Sequence, residues 1–384
     1  MNAERLDRQR TPPIDRHGLV GSVVSRRFRV LDLCHGGPHG SVYEVEPPGV
    51  GRARRALKTL DLPEARFPGA VERLRHYVEA TRDLDHPNLE RLYGVEALPD
   101  GTPFILSEWV ALASLDDHLS HHGSLPLARA LDVLRGIAAG LAALHTRGVP
   151  HGDLRPAHVL VAPSRFGFDR VLLIDAAVAP SLDPRPGPAL DDGLIFRAPE
   201  RIAGRPPSPA ADVYALGVLG WTLLTGRAPF LPDDVRCAQL GPDPAARVRW
   251  LHLHAAPVRP AQVIERPLFG PALEAVIGRA MAKRPTERFP DARAFLEAFE
   301  EALAPMDAAD LLEACDSLVL ELFDQTPAPP AALDATATLG EAATPPHLAR
   351  AVTSARGAAL RPVSFWLAAG AITGAALAVL RALL

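Results

Sequence analysis

The sequence has almost no lysine and almost no asparagine. Of its 41 basic residues only Lys58 and Lys283 are lysines, and only Asn2 and Asn88 are asparagines in 384 residues. A chain this biased uses arginine wherever charge alone is needed. A surviving ammonium therefore marks a place where shape, hydration or titration counts. Cysteine is scarce as well: Cys34, Cys237 and Cys315 form neither a disulfide framework nor a metal-spaced set. A reducing cytoplasm is the expected home. Aromatics make up 5% and the net charge is -4, which argues against nucleic acid as a main partner. With 48% hydrophobic and 22% charged residues the chain is not of the disordered class. Met1 to Arg10 is polar and charged, so it lacks the apolar run of a secretory signal.

Residues 1–27 read as a leader. Strand-like runs then follow at Phe28 to Leu33, Ser41 to Val45 and Arg55 to Leu60, with a glycine-rich turn over Cys34 to Gly40. A helical pattern covers Pro68 to Leu84, and Phe104 to Leu106 reads as another strand. Helices are expected at Leu125 to His145, Asp212 to Thr225 and Pro271 to Ala282. The spacing thus predicts an α+β protein of two lobes, a β-rich part at 28–108 and an α-rich part at 109–303.

The composition shifts in 304–363, the stretch joining this domain to the chain's end. Asp307 to Phe323 is expected to form an amphipathic helix, and Thr326 to Pro346, rich in Ala, Thr and Pro, a tether. Residues 364–384 are apolar, and Phe365 to Leu384 carries one charge, Arg381. A helix of 20 such residues spans roughly 30 Å, a bilayer's hydrocarbon thickness. A single transmembrane helix is expected; the competing reading is a greasy helix that docks on protein. Arg350, Arg356 and Arg361 precede it, so the bulk of the chain should face the cytoplasm from the cytoplasmic membrane. Gly370 and Gly374 allow close helix approach, which leaves a homodimer through the tail open. With nothing folded after it, no extracytoplasmic sensor is expected.

Local patterns follow one another in a telling order. His35-Gly-Gly-Pro-His-Gly-Ser-Val42 lies between two strands, and Lys58 sits on the next strand within Ala-Leu-Lys. His86-Pro-Asn88 follows a helix, and His151-Gly-Asp-Leu-Arg-Pro156 follows a longer one. Asp175-Ala-Ala177, Ala198-Pro-Glu200, Asp212 to Gly217 and Arg288 complete the series. Each motif alone is weak. In this order and spacing they resemble the protein kinase family, especially bacterial Ser/Thr kinases of the eukaryotic type, over roughly Phe28 to Leu303.

The resemblance implies a two-lobed kinase fold, ATP and magnesium, and a role for each matching position. Gly37, Gly40 and Val42 match the glycine-rich loop, whose backbone N–H groups approach phosphates. Its first glycine is His35 here, and Pro38 removes a donor. Lys58 matches the strand lysine that contacts the α- and β-phosphates. Glu108 and Val110 would hydrogen-bond the adenine, Ser107 would stand at the back of its pocket, and Val42, Ala56 and Leu160 would sandwich the ring. Asp153 matches the residue that accepts the substrate hydroxyl proton, and Asp175 the metal-binding carboxylate. Glu200 with Arg288, and Asp212, match structural residues of the C-lobe.

Several positions depart from the family. Arg155 replaces a lysine near the γ-phosphate, a swap the chain's composition explains but which is not conservative in shape. Gly152 replaces the arginine that pairs with a phosphorylated activation loop, and Ser181 is the one hydroxyl residue between Asp175 and Glu200, so control by loop phosphorylation is not expected. The lysine's usual glutamate partner falls on Tyr77; Glu72 and Glu79 stand nearby, each needing a shifted helix. His158 stands where the second metal ligand should be an asparagine, and magnesium prefers oxygen to imidazole. Ala176-Ala177 replaces Phe-Gly, a truncation that costs about 3–5 kcal/mol where nothing compensates. The remaining histidines, His118, His121, His122, His252 and His254 among them, show no metal-ligand spacing.

Three functions fit. One is an active membrane-tethered Ser/Thr kinase, carried by Lys58, Asp153 and Asp175. The second is a pseudokinase that binds ATP with weak or absent phosphotransfer and signals through protein partners the sequence does not name. The third is a small-molecule phosphotransferase, because His-Gly-Asp opens such catalytic loops too; Ala198-Pro-Glu200, Asp212 and Arg288 argue against it. Losing a metal ligand and the lysine's partner removes positioning and charge neutralisation, each decade of rate corresponding to about 1.4 kcal/mol. The expectation is therefore the second.

Overall fold

The computed structural model describes residues 14–37, 40–47, 49, 53–60, 69–122, 125–162, 170–176, 178, 193–230, 243–254 and 270–304. The expected amphipathic helix, tether and apolar helix lie outside these residues. Among the described residues no helix is long and apolar enough to cross a membrane.

The first lobe is a six-stranded antiparallel sheet. Its strands are β1 (Val23–Val24), β2 (Phe28–Gly37), β3 (Gly40–Glu46), β4 (Arg55–Thr59), β5 (Leu92–Ala97) and β6 (Pro103–Glu108), in the order β1-β2-β3-β4-β6-β5. Helix α1 (Ala70–Thr81) lies between β4 and β5 in the chain. The two-residue period of a strand sorts β3 cleanly. Ser41, Tyr43 and Val45 are buried on one face, and Val42 and Glu44 are half-buried on the other. Tyr43 and Val45 join Val30, Leu57, Phe104 and Leu106 in the lobe's core. The stretch Cys34 to Gly40, a turn by its glycines, is strand as far as Gly37, which pairs directly with Gly40. The ladder wins because the connection needs only the two residues between them.

The second lobe carries a small antiparallel sheet of β7 (Ala113–Ser114), β8 (Val159–Ala162) and β9 (Arg170–Leu173). Around it are α2 (Leu115–His122), α3 (Leu127–Thr146), α4 (Pro199–Ile202), α5 (Pro209–Thr225), α6 (Pro244–His254), α7 (Pro271–Ala280) and α8 (Ala292–Leu303). Helix α5 is buried on all sides from Ala211 to Leu224, as a helix apolar around its whole circumference must be. Ser208 caps it by accepting from the Ala211 N–H, and Pro209 opens it without losing an intrahelical bond. Expected and observed elements agree in type and differ by a few residues at their ends. Strands β1, β5, β7 and β8 and helices α2, α4, α6 and α8 add to those read from the sequence, β1 lying within the stretch read as a leader with Val24 in the lobe's core.

Two charged groups hold this lobe. Arg288, fully buried, makes a bidentate pair with Glu200 at 2.7 and 2.8 Å and donates to the carbonyls of Ala210, Ala282 and Lys283. Every arm of the guanidinium is thereby satisfied, which is what a buried cation requires. Lys283 donates to the Leu251 carbonyl at 3.2 Å and stands 4.2 Å from the centre of the Phe230 ring. Beside it His252, fully buried, shares a 2.8 Å hydrogen bond with the Tyr214 hydroxyl.

Burial, reinforced by the nearby Lys283 charge, pushes His252 from 6.5 down to about 3. The unfolded chain therefore takes up a proton that the folded chain refuses. This contribution to stability is fully present above pH 6.5 and is lost as the pH falls towards 3. Thermal midpoints of the purified chain across that window should fall more steeply for the natural protein than for His252→Gln. Parallel slopes would show that His252 does not titrate this way.

Candidate functional site

Lys58 lies on β4, with Val42 of β3 and Ile105 of β6 as its cross-strand neighbours. Both flanking strands fix its backbone, so only the side chain is free to choose a partner. That partner is Asp175, just beyond β9, at 2.5 Å between Nζ and Oδ2. Asp175 adopts φ 60°, a left-handed conformation that aspartate tolerates better than most residues. Burial opposes its charge, but Lys58 beside it, with His158 and His151 close by, outweighs that and holds the carboxyl below the usual carboxylate range.

A second carboxylate, one the sequence reading passed over, stands at the same place. Glu90 Oε2 accepts from the Asp175 N–H at 3.1 Å, and the Ser107 hydroxyl donates to the same side chain. Burial, with the Asp175 charge adding to it, pushes Glu90 up to about 7, and the nearby Lys58 charge works in the opposite direction. The backbone around it is tied to β9. Glu90 N donates to Leu173 O at 2.8 Å, and Leu173 N to Asn88 O at 2.9 Å. The Asn88 side chain donates to Val171 O at 2.8 Å.

These residues line a cavity of about 20 Å3, room for about one water. Lys58, Glu90, Ser107 and Asp175 form its polar wall, and Tyr77, Leu89 and Ala176 are among the groups on its apolar side. Tyr77 and the shortened Ala176 thus line the same cavity. Burial raises the Tyr77 phenol well above its ordinary value, so it offers Lys58 no negative charge. Neither of the other candidate partners on α1 faces the site. Glu72 and Glu79 are 81% and 68% exposed and pair with Arg75 and Arg82 on the surface. The helix is not shifted to bring either one in.

The loop after α3 is braced from below. Asp212, only 2% exposed, accepts from the backbone N–H groups of His151 at 2.7 Å and Gly152 at 2.8 Å, and from His145 Nε2 at 3.0 Å. Gly152 has φ 77°, where a side chain is strained; its substitution for arginine suits the backbone it sits on. Asp153 follows at once. His158, on the turn at Pro156–His158, donates from Nδ1 to the Asp153 carbonyl at 2.8 Å. Its Nε2 then faces Asp175 Oδ2 at 3.8 Å. The loop thus gathers Asp153, His158 and Asp175, and Asp175 joins Lys58 to them. Arg155 lies between, its carbonyl accepting from His158 N at 2.9 Å.

The family model for the protein kinase domain matches residues 36–295. The chain belongs to the protein kinase family. Pkn3 of Myxococcus xanthus, a serine/threonine-protein kinase, is 30% identical over 321 residues, which is 81% of this chain and 56% of that protein. The serine/threonine-protein kinase PknA of Mycobacterium tuberculosis is 32% identical over 224 residues, 56% of this chain and 50% of that protein. The chain spans about half the length of these curated relatives. The PknI kinase domain of Mycobacterium tuberculosis superposes with a TM-score of 0.56 at 24% identity, covering 74% of this chain and 98% of that one; the likeness is one of fold. The kinase is therefore related to bacterial Ser/Thr kinases of the eukaryotic type.

Kinases of this family use ATP and magnesium. In this kinase Val42 and Ala56 lie on the same face of neighbouring strands, set diagonally across the β3–β4 register. Glu108 ends β6, with its N–H on the Arg91 carbonyl, and Val110 follows, half-buried. Leu160 lies on β8, opposite Leu172 and Ser114. Asp175 offers a hard oxygen ligand suited to magnesium, whereas the imidazole of His158 does not. Gly37 and Gly40 close the β2–β3 hairpin, and Gly40 has φ 146°. A Cβ on Gly40 would stand 1.8 Å from the carbonyl oxygen of Thr59, next to Lys58. No rotamer relieves a clash with backbone, so Gly40→Ala must push β3 away from β4. Urea denaturation should show a loss of about 1–3 kcal/mol; an unchanged midpoint would mean that the hairpin does not pack this closely.

Proposed function

We propose that this kinase is a membrane-tethered signalling protein of the Ser/Thr class that binds ATP and transfers phosphate weakly or not at all. One observation carries the reading. The imidazole of His158 occupies the second metal-ligand position, anchored through Nδ1 on the Asp153 carbonyl with Nε2 towards Asp175. Magnesium, when bound, neutralises charge that develops on the transferred phosphoryl group. A residue set that keeps Asp175 but lacks the second oxygen ligand holds that charge less well. Lys58 remains on its strand to meet the α- and β-phosphates, which supports nucleotide binding. Asp153 remains on the braced loop to orient and deprotonate an acceptor hydroxyl, so the acceptor side is intact in residue type.

The active-kinase reading has its own support, since Lys58, Asp153 and Asp175 are all retained and lie around one cleft. One assay separates the two. Transfer of labelled phosphate from ATP should lie near background for the natural chain and rise at least tenfold in His158→Asn, a gain of about 1.4 kcal/mol. Transfer by the natural chain that Asp153→Ala removes would overturn the pseudokinase reading. ATP should raise the thermal midpoint, and Lys58→Ala should abolish that shift. Absence of any shift under every metal condition would end the nucleotide-binding reading.

The tether rests on the apolar run Phe365 to Leu384 and the arginines before it. After cell lysis the full chain should sediment with membranes and resist carbonate extraction. Recovery in the soluble fraction would defeat this part of the reading.

A further inference from the structure

We propose that Glu90 is the positioning residue for Lys58, a carboxylate on the connection just before β5 doing what a helix glutamate does elsewhere in the family. The inference rests on the nucleotide-binding reading above. Its geometry comes from the ligand-free cleft. Two acids line the cavity with Lys58, and they are Asp175 and Glu90. Asp175 is the hard ligand a divalent cation would take, so an ammonium that depends on Asp175 alone would lose the group that holds it in place once a cation engages Asp175. Glu90 is then the acid left beside it. Tyr77 is a neutral phenol, and Glu72 and Glu79 are engaged on the surface.

The carboxylate is fixed on both sides. One oxygen holds the Asp175 N–H, the Ser107 hydroxyl donates to the same group, and the adjoining backbone is bonded to Leu173 on β9. Glu90 thus stands in the same recess as Lys58 and against the left-handed turn that presents Asp175. A charge-assisted contact, formed when the ammonium turns from Asp175 to Glu90, would be about twice as strong as a neutral one. Replacing the carboxylate by an amide keeps its size and its acceptor for Asp175 N–H but removes the charge that Lys58 would meet on leaving Asp175.

The lysine shortage makes the test direct, because Lys283 serves as the internal reference for Lys58. In the purified full chain without nucleotide, an amine-acylating ester should modify Lys58 several-fold faster, relative to Lys283, in Glu90→Gln than in the natural protein. ATP affinity, measured with a fluorescent ATP analogue and magnesium, should weaken about tenfold in Glu90→Gln. Adding Tyr77→Glu, which puts a carboxylate back on the facing helix, should recover part of that loss; a purely structural role for Glu90 would give no such rescue. Should Glu90→Gln fold poorly, Ser107→Ala loosens the carboxylate without removing it, and the same two shifts are expected at smaller size. An unchanged Lys58 to Lys283 ratio in the folded variant overturns the proposal, whatever the nucleotide result. Loss of ATP binding in the natural protein alone would overturn the nucleotide reading instead, with the acylation ratio still deciding the role of Glu90.

Discussion

Lys58 reaches from the middle of one sheet to Asp175 at the end of another, and the cleft is organised around that contact. Partly buried ion pairs are costly to form, because both charges give up water before they meet. This one is retained where its two members are the groups a phosphate and a cation would otherwise engage. The depressed Asp175 carboxyl is the electrostatic record of that arrangement. Everything nearby serves to hold the two ends in place. The strands on either side of β4 fix the lysine backbone, and the hydrogen bonds from Asn88 and Glu90 to β9 fix the aspartate.

Below the cleft the C-lobe uses the opposite strategy, full satisfaction of buried charge. Asp212 collects the loop N–H groups that bring Asp153 up to the site, and Arg288 spends its donors on Glu200 and three carbonyls. Neither network contains a group left to react. The cleft differs, for burial and the Asp175 charge raise the Glu90 carboxyl towards 7 beside a depressed partner. Groups pushed apart in this way are a mark of functional sites.

Much of this was legible in the sequence because kinase motifs are short, ordered and tied to turns. Asp153, Asp175, Lys58 and the Glu200–Arg288 pair stand where spacing put them. Glu90 was not legible, since Leu-Glu-Arg-Leu reads as a strand start with two solvated charges. One signal was available. Glu90 shares strand parity with Leu92, and both line the cavity while Arg91 is exposed. Tyr77 stands where a glutamate is expected, and it lines the cavity together with the shortened Ala176. The two scarce residue types also came apart. Asn88 survives because its side chain and carbonyl bond β9, a task that depends on amide geometry, whereas the asparagine expected at 158 is an imidazole bonded to the loop it sits on.

The polar back wall formed by Ser107 and Glu90 has a pharmacological consequence. A ligand that enters the cleft would meet this wall. Here an aromatic or aliphatic extension would strip a hydroxyl and a carboxyl of their partners, a cost of about 1–3 kcal/mol for each group left unsatisfied. A small basic or amide extension would instead find an acceptor. A polar extension matched to a recess with room for about one water would thus be favoured over an apolar one.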